Sequence, residues 1–123
     1  MELPVVNHED YFAKIGDEHK FPINKFGELA NYLIEKKIIK SFHKPYPCSD
    51  ETLKRAHSES YIKNIKNKTL DKESIKKIGF PLVDSVVKRS LVATGGTVLA
   101  SKLAIKNGIA CNTAGGSHHA NFR

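Results

Sequence analysis

The chain has 123 residues, a formal net charge of +7, 40% hydrophobic residues and 27% charged ones. That is enough to bury a core, too little for a two-domain enzyme, and unlike a disordered tail. No apolar run approaches 18 residues, and Met1-Glu2-Leu3-Pro4-Val5-Val6 has neither a basic leader nor an export-length apolar stretch, so a cytoplasmic protein with no membrane partner is expected.

Pro4-Val5-Val6 is a short β-branched apolar run and reads as a buried strand, followed by a loop-like stretch to Pro22. From Asn24, Phe26, Leu29, Ala30, Leu33 and Ile34 recur at three- and four-residue spacing, which predicts an amphipathic helix. The run His43-Lys44-Pro45-Tyr46-Pro47 breaks it. Ser49 is placed to cap a helix reaching about His57, with Asp50 and Glu51 in its first turn, and Ser58 to cap another through Tyr61, Ile62 and Ile65. Residues 66–77 read as a weakly helical surface segment.

After Gly79-Phe80-Pro81, apolar residues persist from Leu82 to Ala104, and Asn107-Gly108 makes a natural C-terminus for the longest helix. Gly95-Gly96 inside it implies either the close approach of another backbone or a break, and a continuing helix with a local bend is the expectation. Ile109-Ala110-Cys111-Asn112 then reads as a strand, and Thr113-Ala114-Gly115-Gly116-Ser117 as a glycine loop. The whole is an α/β chain with a mainly parallel sheet flanked by helices, and nothing divides residues 1–123 into more than one domain. Cys48 and Cys111 are expected as reduced thiols.

The charge invites a nucleic-acid reading, but seventeen of the twenty basic residues are lysines spread between Lys14 and Lys106, and only three are arginines. Arginine supplies the bidentate fork used on bases and phosphates, so no specific nucleic-acid partner is expected.

The chemistry lies in Ala114-Gly115-Gly116-Ser117-His118-His119-Ala120. A loop leaving the carboxyl end of a parallel strand is where open α/β sheets bind ligands. Of two adjacent imidazoles, one can stay neutral as a base while its neighbour, kept protonated, stabilises an oxyanion, because like charges push the two titrations apart.

Gly115-Gly116-Ser117-His118-His119-Ala120 resembles the tandem-histidine loop of the histone deacetylase family. The resemblance extends through His19-Lys20-Phe21-Pro22-Ile23-Asn24-Lys25-Phe26, Glu51-Thr52-Leu53 with His57-Ser58 and Tyr61-Ile62, Gly79-Phe80-Pro81, Arg89-Ser90 and Gly95-Gly96-Thr97. It points to the bacterial, class IV-like branch and to the N-terminal portion of the family's domain. It implies an arginase-like α/β fold and zinc-dependent hydrolysis of an acetyl amide such as acetyl-lysine. By position His118 is the first of the tandem pair, mainly electrostatic in role, and His119 the second, general base and then acid. Gly115 and Gly116 shape the substrate pocket.

The family's zinc ligands, an Asp-x-His pair and a later Asp, and the catalytic tyrosine of most members follow this loop, and Asp84 is the last acidic residue here. Hence no residue of this chain is assigned to the metal, tight zinc binding and activity are not expected of it alone, and the family's C-terminal portion or self-association is the expected partner. The alternative is a non-catalytic remnant or interaction module with the same partial fold. Asp17-Glu18-His19 spells Asp-x-His, but in the N-terminal element of the resemblance, so it reads as a decoy. His8, His43 and His57 read as structural residues, and Tyr46 and Tyr61 as packing residues.

Overall fold

The structure, a computed structural model, describes residues 2–116. Strand β1 (Val5–Val6) is 2% and 0% exposed, and it pairs in parallel with β2 (Cys111–Asn112) in the register Val5 to Cys111 and Val6 to Asn112. A continuous apolar pair rather than an alternating one suits a strand covered on both faces. On its other side β1 meets His43, whose N–H donates to the Val5 carbonyl at 2.9 Å while its carbonyl accepts from Asn7 N–H at 3.1 Å. His43, read from the sequence as a structural residue in a helix-breaking run, is thus a second parallel partner of β1. Parallel neighbours require crossovers, and the helices supply them.

A single 3₁₀ turn over Glu9–Tyr11, capped by His8 Nδ1 accepting from Asp10 N–H, lies within the stretch that reads as loop. The first helix, α1 (Lys25–Glu35), buries Phe26 and Ala30 but leaves Leu29 and Ile34 exposed. Its cover comes from the side of the Glu9–Tyr11 turn, so only part of the expected stripe is buried. The short helices α2 (Asp50–Leu53) and α3 (Glu59–Lys66) start where Ser49 and Ser58 accept from the N–H of Thr52 and Tyr61. The lysine-rich segment forms a defined helix, α4 (Lys72–Ile78), capped by Asp71 and stopped by Gly79 at φ 79°.

Helix α5 (Asp84–Asn107) is unbroken across Gly95-Gly96 and ends at Gly108, φ 91°. Of the two reasons those glycines suggested, close backbone approach is what the structure shows. A Cβ on Gly95 would overlap the Tyr46 carbonyl oxygen and sit 3.1 Å from Cys48 N. Tyr46 is therefore not the packing residue its sequence suggested: its side chain is 89% exposed and its backbone makes the contact. Two apolar clusters line α5, one of Tyr11, Phe26, Val92, Ala93 and Ala114, the other of Ala13, Ile15 and Val86, with Phe21 and Ile23 packed against both. No helix among the described residues is long and apolar enough to cross a membrane. Cys48, buried, and Cys111, exposed, are both free thiols, and burial pushes the Cys48 thiol pKa up.

Candidate functional site

The carboxyl end of β2 is held by the N-terminal segment, about a hundred residues away in sequence. Thr113 N–H donates to the Val6 carbonyl at 3.0 Å, continuing the parallel ladder, and Thr113 Oγ1 donates to Asn7 Oδ1 at 2.7 Å. Asn112 Oδ1 accepts from the Tyr11 hydroxyl at 2.7 Å and, more weakly, from Ala114 N–H at 3.5 Å. Thr113 and Ala114 are buried, and Gly115 and Gly116 emerge exposed. The glycine loop thus leaves the carboxyl end of a parallel strand, from an anchored base.

Tyr11, 1% exposed, is the keystone of that base. Burial pushes its phenol pKa up to about 12, against opposing effects of the Asn112 hydrogen bond and the Arg89 charge. Arg89, on the buried face of α5, donates from Nε to the Tyr11 carbonyl at 2.9 Å, and its guanidinium lies 4.8 Å from the Phe26 ring centroid and 5.8 Å from that of Phe21. Gly96 faces the same cluster: a Cβ there would collide with the Tyr11 hydroxyl and stand 2.9 Å from Asn112 Nδ2. The glycine lets helix, phenol and amide meet. Asn112 Nδ2 is itself buried with no hydrogen-bond partner among the described residues.

Of the residues singled out from the sequence, Gly115 and Gly116 are described, and His118 and His119 lie outside the described residues. A Cβ on Gly115 would meet nothing within 4 Å. Asp17 is exposed, and both ring nitrogens of His19 are committed to backbone. Nδ1 accepts from Phe21 N–H at 3.1 Å, Nε2 lies 2.9 Å from the Gly79 carbonyl and so carries the proton, and the ring stacks on Phe80 at 5.1 Å. That tautomer has no lone pair left for a metal. His57 packs against Tyr61 at 5.4 Å with Nδ1 buried. Among the described residues no group of three or more His, Cys, Asp or Glu side chains could hold a metal ion, so the donors among them do not fit zinc.

Sequence reasoning missed Tyr11 and Asn112 as members of this arrangement. Gly95-Gly96 was the available signal, since adjacent helix glycines mark a helix approached closely.

Residues 19–123 match the histone deacetylase domain. The chain is 40% identical over 122 residues to an uncharacterized protein of Picosynechococcus sp., covering 98% of this chain and 41% of that protein. It is 28% identical over 120 residues to histone deacetylase 2 of Arabidopsis thaliana, covering 88% of this chain and 30% of that protein. It therefore spans well under half the length of either relative.

Proposed function

The chain belongs to the histone deacetylase family, and on that premise we propose that it supplies the proton-transferring part of a site that hydrolyses acetyl amides, acetyl-lysine among them, within an arginase-like α/β fold. The observation that carries the reading is the anchored exit of the glycine loop from the carboxyl end of β2, whose last residue, Asn112, lies six positions before His118 in the sequence. His119 takes a proton from the attacking water and returns it to the amine nitrogen as the C–N bond breaks. His118, protonated, faces the charge that develops on the carbonyl oxygen. Gly115 and Gly116 give substrate close access to the backbone.

The described residues hold no fitting metal cage, so zinc, where the family chemistry uses it, is to be held by residues beyond those described. The partner of this reading is the remainder of the family fold, in the same polypeptide or in trans, or a second copy of the chain. One edge of β2 is unpaired among the described residues and Ile109 beside it is 58% exposed, which suits a further strand. Residues 1–123 alone should bind zinc weakly and turn over no acetyl-lysine peptide. The lack of a metal cluster among the described residues equally suits a second reading, a non-catalytic interaction module. The test is release of acetate from an acetyl-lysine peptide by the polypeptide encoded by the whole reading frame, with zinc present. Turnover supports the first reading, and its absence in folded protein supports the second.

A further inference from the structure

Arg89 brings a charge into the interior without an opposite charge to meet it. The residue is 8% exposed, and no carboxylate of the described residues lies within ion-pair distance of its guanidinium. Its one hydrogen bond among the described residues runs from Nε to the Tyr11 carbonyl at 2.9 Å, and Nη2 is buried there with no partner. The rings of Phe26 and Phe21, at 4.8 and 5.8 Å, offset part of the cost of removing the cation from water. They do not neutralise it. Buried charges in stable folds are paired, and a guanidinium stays protonated through the ordinary pH range, so it cannot escape the cost by losing its proton.

A cavity of about 90 Å³ adjoins this charge, between residues 13–23, the end of α4 and the first turns of α5. Its apolar walls include Ile15, Ile23, Ile78, Phe80 and Val86. Arg89 and Ser90 line the α5 side, and the Ser90 hydroxyl already donates to the Val86 carbonyl at 2.9 Å. Among the described residues Arg89 is therefore the single cation and the single uncommitted side-chain donor lining the cavity. Such a space selects a ligand by charge and size. A monovalent anion makes the cavity neutral, whereas sulfate or phosphate would leave a net negative charge among aliphatic walls. The Nε–Nη2 fork that takes carboxylates side-on is half occupied by the Tyr11 carbonyl, which suits a spherical ion that needs no fork. Weakly hydrated ions give up least on leaving water, so chloride and bromide are favoured over fluoride.

We propose that the cavity beside Arg89 is a structural anion site that takes a halide of the chloride class. The ion compensates the guanidinium while Nε stays on the Tyr11 carbonyl. Its presence leaves the buried junction of α5 and the N-terminal segment neutral as a unit. The inference is independent of any acetyl-amide chemistry.

The experiment has a crystallographic and a solution arm, both on the protein encoded by the whole reading frame. Crystals grown with sodium bromide should show an anomalous peak in this cavity beside Arg89. In solution, thermal unfolding is followed against millimolar sodium chloride, with sodium fluoride at equal ionic strength as the reference, below the concentrations at which salts act by general exclusion. Above the dissociation constant, each tenfold rise in chloride should raise the folded-to-unfolded ratio about tenfold, and fluoride should not. Arg89→Met removes the charge and keeps an apolar stem, and Val86→Phe keeps the charge and fills the cavity; each should abolish the difference between the two salts. A map without a bromide peak, with a carboxylate or water alone against the guanidinium, overturns the inference. So do equal melts in chloride and fluoride, or a chloride dependence that survives in either folded variant. A bromide peak with no chloride dependence in solution marks binding at crystal concentration only and overturns it as well. If neither variant folds, the bromide map and the parent melts decide.

Discussion

Gly96→Ala is the substitution whose consequence the geometry fixes most closely. The added methyl would overlap the Tyr11 hydroxyl, stand 2.9 Å from Asn112 Nδ2 and lie 3.2 Å from Tyr11 Cζ, with the ring buried and without space to retreat. Overpacking of this kind costs about 1–3 kcal/mol. Displacing the phenol also breaks its hydrogen bond to Asn112 and strands two buried polar groups, roughly another 1–3 kcal/mol. Alanine regains about 1 kcal/mol through helix propensity, leaving a net loss of about 1–5 kcal/mol. Tyr11→Phe alone should cost about 1–2 kcal/mol. Because it removes the atom that the new methyl strikes, the double variant should be more stable than the sum of the two losses by at least about 1 kcal/mol. Urea unfolding of the four proteins, with unchanged m-values, measures the cycle. Gly27→Ala is the contrast: its Cβ meets nothing within 4 Å, and it should stabilise by up to about 1 kcal/mol. A Gly96→Ala protein as stable as the parent, or strict additivity in the cycle, refutes the packing account.

Stability should also fall on the alkaline side. With the Tyr11 phenol near 12 folded and near 10 unfolded, the folded state binds more protons between those values, so its contribution is intact below pH 10 and lost by about pH 12. A displacement of that size corresponds to roughly 2–3 kcal/mol, and Tyr11→Phe should flatten the loss measured by urea melts across this window. At the acid end, Lys44, Lys66 and Lys68 hold the carboxyls of Glu9, Asp50 and Asp84 below their usual values, so a small, salt-sensitive contribution present above about pH 4.5 is lost as pH falls through the lowered folded-state values. His19→Ala should cost about 1–3 kcal/mol in the same melts, by stranding Phe21 N–H and the Gly79 carbonyl, while leaving zinc binding by calorimetry unaltered. A metal affinity that falls with this substitution would return Asp17 and His19 to consideration as ligands.

Much of the frame was legible because it is local. Val5-Val6 is an apolar β-branched pair, Ser49 and Ser58 are caps whose hydroxyls accept from the N–H three residues on, and Gly108 stops a helix by adopting φ 91°. Gly95-Gly96 announced a close approach but not what approached, since Tyr46 and Tyr11 are distant in sequence. The base of the site was illegible for the same reason. Tyr11 lies in a stretch with no periodicity, and its partner is 101 residues away. His43 hides among prolines because a lone parallel bridge leaves no run of β-branched residues to read. Leu29 and Ile34 show the converse: α1 has the spacing of a buried face, yet cover reaches only Phe26 and Ala30.

On the proposed function, His119 and His118 have unequal duties toward an acetyl amide. The measurement that tests it most directly is kcat for acetyl-lysine peptide hydrolysis by the protein of the whole reading frame, compared with its His119→Ala and His118→Ala variants at equal zinc. Loss of the general base should lower kcat by roughly 10²–10⁴-fold in His119→Ala, and the electrostatic partner's loss in His118→Ala should be smaller. Undiminished turnover in His119→Ala would contradict the account.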